Sequence, residues 1–382
     1  MVATDALRAI FRVNLGVKKA ERVLVFTDKP SKKESLSPED VIRRERLRDI
    51  ALLAEETGRG FAKKIRFCEF PSTDSHGAEP PAELWECAFG SAAVKALREA
   101  KVLAPILRKK ARPKQLEEAE RILRRRKRSA VDAVVALSFY STSHTAFRRL
   151  LTKACGARYA SMPIFEATML EGAMNVDWKA LAKRTGAVAG AVNRFDTVRV
   201  TTPNGTDITL SKETRQAHAD TGILTKPGSF GNLPAGEVYL APLEGTATGT
   251  LVLEWAPTRE LSSPVKLTIK EGLVTSVQGN EEFALELERK LSERPENRNL
   301  AELGIGTNDR ATRPDNILES EKILGTVHFA LGDSSSFGGK VHTPFHQDFV
   351  FFLPTVVLSA GDGKRLTLMK DGKLNKRALK LA

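Results

Sequence analysis

Short apolar runs, each closing on a polar loop and followed by a stretch of helical period, recur through the first half of the chain and stop near residue 196. A continuous apolar run suits a strand buried on both faces in a parallel sheet, whereas strict alternation suits a strand with one face covered. Residues 22–28 (RVLVFTD), 63–70 (KKIRFCEF), 102–107 and 130–138 (AVDAVVALS) read as strands of the first kind. Stretches at 5–15, 38–58, 90–99, 114–127 and 144–155 read as helices, with Ser35 or Ser37 available to cap the second. Repeated β-loop-α units imply an open parallel sheet covered by helices. Beyond 196 the period changes to two. Residues 196–210 form two alternating segments around Asn204–Gly205, a hairpin signal. Further short strands follow at 237–241, 249–254, 265–269, 273–278, 322–331 and 346–358, interrupted by one helix at 280–293. The expected fold is α/β: an N-terminal open parallel α/β-sheet domain over residues 1–195, plus a C-terminal α+β, mainly β, metal-binding domain over 196–382.

Composition narrows the partners. At 382 residues each half can bury its own core. The three cysteines, Cys68, Cys87 and Cys155, stand far apart with no CxxC pair, which argues against a disulfide framework or a cysteine zinc site. No apolar run reaches the ~20 residues of a membrane helix, and the first 22 residues lack the apolar core of a signal peptide. A cytoplasmic protein without membrane partners is expected. The net charge of +13 is concentrated between residues 108 and 128, where eleven Lys or Arg face three Glu. That segment is the one basis for a nucleic-acid reading, but it carries no aromatic residue for base stacking. A solvated basic helix is the commoner form of such a run. No GxGxxG or Walker A motif supports a nucleotide site.

The chemistry concentrates near the C-terminus. Three of the six histidines lie within GTVHFALGDSSSFGGKVHTPFHQDFVFF: His328, His342 and His346. His346 and Asp348 form an H-x-D pair whose side chains fall on one face of a strand, and Pro344 disfavours a helix there. Imidazole with carboxylate suits Zn²⁺, Mn²⁺, Co²⁺ or Fe²⁺. Upstream, GNLPAGEVYLAPLEG places Glu237 at the mouth of a strand, and LAELGIGTN places Glu302 just before a glycine turn.

Taken in order, GNLPAGEVYLAPLEG, AELGIGTN, ILGTVHFALG and the closing H-x-D-F-V resemble the thermophilic metallo-aminopeptidases of the aminopeptidase T and aminopeptidase S family, as do GTDITL with Arg215 and the terminal MKDGKL. The resemblance is clear over 196–382. It implies an aminopeptidase, a metalloprotease that releases N-terminal residues from peptides with a free amino terminus, working as a homodimer. Its centre would hold two divalent ions, zinc, cobalt or manganese, on Glu237, Glu302, His328, His346 and Asp348, with Glu302 bridging and assisting proton transfer. Where that family has a tyrosine ligand this chain has Ser335, so Asp333, His342 or water would stand in. The departure opens an alternative: relatives in the same superfamily resemble dihydroxypyridine ring-opening dioxygenases, in which one Fe(II) is held by two histidines and an aspartate. His328, His346 and Asp348 would supply that triad.

Overall fold

The computed structural model describes residues 2–31, 34–73 and 75–380. The chain divides into two compact units, Met1–Asn175 with Gly222–Pro234, and Val176–Thr221 with Ala235–Ala382. The expected boundary at 195/196 lies inside the second unit, and a short later segment belongs to the first.

The first unit is built on a five-stranded parallel sheet in the order Lys64–Pro71, Arg22–Lys29, Ala133–Ala136, Arg158–Ser161, Phe230–Asn232. The apolar middle of its central strands is covered on both faces: Val23 to Phe26 and Ala133 to Ala136 are buried. Ser37 caps the helix Pro38–Gly58, its Oγ accepting from the Asp40 N–H at 3.1 Å, with Pro38 in the first turn, where no N–H is needed. The run 102–107 departs from expectation. It folds as the helix Leu103–Leu107, since a short apolar run carries no period that separates strand from buried helix. The basic helix Pro113–Arg125 pairs part of its charge internally, Arg121 with Glu118 and Arg124 with Glu120.

The second unit contains two antiparallel sheets. One has eight strands, and the other runs in the order His346–Phe352, Thr326–Gly332, Leu300–Gly306, Glu237–Leu240, His218–Asp220. The alternation seen beyond residue 196 has its physical cause here. Val198, Leu253 and Leu267 of the larger sheet share one core with Leu303, Phe329 and Phe349 of the smaller. The helix Trp178–Val192, not legible in its Ala- and Gly-rich sequence, adds Val188, Ala191 and Val192 to that core. Leu300–Gly306, expected to be a glycine turn after Glu302, is instead a fully buried strand inside the smaller sheet. The result is a mixed α/β fold, with a parallel sheet in one unit and antiparallel sheets in the other, as expected. No helix among the described residues is long and apolar enough to cross a membrane.

Candidate metal centre

The smaller sheet of the second unit has one apolar face and one polar face. Val238, Leu303, Ile305, Val327, Phe329, Leu331, Phe349 and Phe351 enter the core. Residues opposed across neighbouring strands share a face, so register fixes what lies on the other side. Glu237 is opposite Gly306, and Tyr239, Gly304, His328 and Val350 form one row. Glu302, Ala330 and Asp348 form the next, and Gly332 pairs with His346. The register shifts between Leu300 and Glu302, a bulge that re-aims the strand as it presents the carboxylate. Glycine and alanine fill the intervening positions, which leaves room above the sheet. A Cβ on Gly304 would lie 1.9 Å from His328 Cε1 and 2.0 Å from its Nε2, so the imidazole occupies the space that a side chain would need.

Five candidate residues converge on this face. His328 Nε2 is 3.4 Å from Glu237 Oε2 and 3.5 Å from Glu302 Oε1. His346 Nε2 is 3.6 Å from Glu302 Oε2 and 3.4 Å from Asp348 Oδ2. Glu302 therefore stands between the two imidazoles, one oxygen toward each. Among the described residues, Glu302, His346 and Asp348 offer ligand atoms that all lie within 4.8 Å of one another, the geometry of one shared ion. His328 is outside that group and reaches it through Glu302. Its Nδ1, like Glu237 Oε2, is buried without a hydrogen-bond partner.

The remaining contacts set orientation and charge. The backbone carbonyl of Asp333 is 2.8 Å from His346 Nδ1. A carbonyl can only accept, so Nδ1 carries the proton and Nε2 is left for a metal. The Asp333 carboxylate lies 2.9 Å from His342 Nδ1 and accepts from the Ser335 hydroxyl at 3.0 Å. Asp333 and His342, the expected stand-ins for the tyrosine ligand, are thus hydrogen-bonded to each other and to Ser335, the residue at the tyrosine's position. Lys322, which sequence reasoning missed, is fully buried, with its Nζ 2.9 Å from Glu237 Oε1 and 2.5 Å from Glu321 Oε2. Nothing in ESEK distinguishes it from a surface lysine; only the fold turns it inward.

Burial opposes charge on both imidazoles, yet the neighbouring carboxylates prevail. Asp348 and Glu302 hold His346 at about 10, and Glu302 and Glu237 hold His328 at about 9. Asp348, despite burial, is kept far below the usual carboxylate range by His346. Burial pushes Glu237 up, against the pull of Lys322. Once both imidazoles give up their protons, Glu237, Glu302, Glu321 and Asp348 surround one lysine, Lys322, and a divalent cation balances the negative charge left over. The imidazole-carboxylate donor set fits ferrous iron, manganese or zinc. His346 is also one of the residues lining a cavity of about 380 Å³, together with Phe283, Leu287, Lys290, Arg294 and Gln347.

The relatives of the chain bear on which chemistry this arrangement serves. A family model described as 2,5-dihydroxypyridine 5,6-dioxygenase matches residues 129–376. The 2,5-dihydroxypyridine 5,6-dioxygenase of Pseudomonas putida KT2440 is 25% identical over 206 residues, a match covering 47% of this chain and 57% of that protein. The solved 2,5-dihydroxypyridine dioxygenase from the same organism superposes with a TM-score of 0.68 at 19% identity, covering 98% of this chain and 97% of the other. Aminopeptidase T (AmpT) from Thermus thermophilus also superposes, with a TM-score of 0.54 at 16% identity over 98% of each chain. The fold is therefore shared with both solved structures, and the aminopeptidase expected from the motifs is overturned. The likeness to AmpT is one of fold, while the family match names a ring-cleaving oxidoreductase in place of a hydrolase or protease. With well over half of its length matched by the family model, the chain belongs to the 2,5-dihydroxypyridine 5,6-dioxygenase family.

Proposed function

We propose that this chain is a dioxygenase that opens a hydroxylated pyridine ring using one ferrous ion held on the polar face of the smaller sheet. The observation that carries the reading is the convergence of Glu302, His346 and Asp348, whose ligand atoms all lie within 4.8 Å of one another. Glu302, His346 and Asp348 would hold the ion, with His328 against the second oxygen of Glu302. Ferrous iron would supply the one-electron chemistry through which dioxygen reacts with a closed-shell aromatic ring. The protein's part is positional. The Asp333 carbonyl fixes the tautomer of His346, and the apolar core beneath the sheet keeps the ligands from moving apart.

One ion is favoured over two because Glu237, the ligand a second ion would need, is already paired with the buried ammonium of Lys322. The test is anaerobic loading with ferrous iron, measurement of metal per chain, and then oxygen uptake with 2,5-dihydroxypyridine. One iron per chain and stoichiometric oxygen consumption with loss of the ring absorbance are expected. Fully loaded protein that consumes no oxygen with any dihydroxypyridine would remove the proposal.

A further inference from the structure

Away from the metal centre, the first unit brings together two of the three cysteines that the sequence holds apart. Cys68 lies in the strand Lys64–Pro71 and Cys87 in the helix Ala82–Phe89, which packs on that strand. Their Sγ atoms are 2.9 Å apart across a separation of 19 residues. A disulfide requires about 2 Å, so a small side-chain movement joins them. The two thiols differ in a useful way: Cys68 is buried, while Cys87 is partly exposed and open to a reagent in solution.

We propose that Cys68 and Cys87 are a redox-modification site, closed to an intramolecular disulfide by hydrogen peroxide. The step balances with one peroxide. The Cys87 thiolate attacks one peroxide oxygen, the O–O bond breaks, and hydroxide leaves, giving a sulfenic acid. The Cys68 sulfur then attacks the Cys87 sulfur, the S–O bond breaks, and water leaves with the proton that Cys68 gave up. Two thiols and one peroxide yield one disulfide and two waters. The hydrogen bond with Cys68 and the nearby Arg66 hold the Cys87 thiol down at about 6, so its reactive thiolate is present at neutral pH. Cys155 is the internal control, its thiol pushed up to about 12 by burial.

The full-length protein is titrated with hydrogen peroxide, quenched, unfolded and alkylated, and its intact mass and peptides are measured. Loss of two of three alkylatable thiols together, with the peptides of Cys68 and Cys87 joined and reversal by dithiothreitol, supports the site. Cys155→Ser should leave that behaviour unchanged, and Cys68→Ser should leave a sulfenic acid on Cys87 that dimedone captures. Wild-type protein in which Cys87 advances to sulfinic acid while Cys68 remains alkylatable overturns it. So does a bridge from Cys87 to a second chain.

Discussion

The seat of His328 depends on an atom that is missing from its neighbour. In an ordinary strand, Gly→Ala stabilises by roughly 0.5–1 kcal/mol, because glycine gives up more backbone freedom on folding. At Gly304 the added methyl would meet the imidazole at 1.9 Å. Gly304→Ala should displace His328 and, through their 3.5 Å contact, Glu302. We expect iron affinity to fall on the order of 10–100-fold, the effect usual for a disturbed ligand support. Circular dichroism should stay unchanged, and unaltered affinity by metal-buffer titration would refute the assignment. The ligands also compete with protons. His346 and His328 are held at about 10 and 9, above the ordinary value of 6.5, so at neutral pH an incoming ion must displace protons from them. Metal affinity should therefore strengthen as pH rises toward 9, by about tenfold per unit for each proton displaced. Calorimetry in buffers of differing ionisation enthalpy reads that release directly, and pH-independent binding between 6.5 and 8.5 would contradict it.

What the residues do individually is legible only because the strands align them. The H-x-D strand could be read from its alternation, and its bounds begin where expected, at His346. The strand Leu300–Gly306 could not, since Gly304 and Gly306 are the usual marks of a turn. Both are required by neighbours remote in sequence: His328 leans over Gly304, and a Cβ on Gly306 would meet the Ile323 carbonyl at 2.0 Å. Local pattern cannot carry that information. Nor could it show that Ala330 is the Cα partner of both Glu302 and Asp348. A methyl group between two carboxylates leaves the ion its space, whereas a branched side chain would fill it. Ala330→Leu should abolish metal uptake and cost roughly 1–3 kcal/mol from overpacking. Val327→Ala, facing the core from the same strand, should lower stability by a similar amount while retaining iron. Denaturant midpoints beside metal content separate the two faces of the sheet.

At the scale of the molecule, the change of sequence grammar near 196 and the division of the fold are different things. The helix Trp178–Val192 precedes the change and lacks β alternation, yet it belongs to the second unit. Its Val188 and Val192 are completely buried in the core shared by the two antiparallel sheets. Thr185 Oγ1 lies 2.7 Å from Thr307 Oγ1, and Arg184 pairs with Asp309 at 3.0 Å, both just beyond the strand that carries Glu302. Truncating buried valines alone costs on the order of 1–3 kcal/mol each. Removal of the whole helix strips several such contacts from a fold whose net stability is about 5–15 kcal/mol. A fragment beginning at residue 196 should therefore fail to unfold cooperatively and should bind no iron, although it contains every candidate ligand. A fragment beginning at residue 176 restores the helix. It should regain a sigmoidal denaturation curve and metal binding. If the shorter fragment matched the longer one in both measurements, the helix would be an appendage, and the second unit would begin where the alternation does.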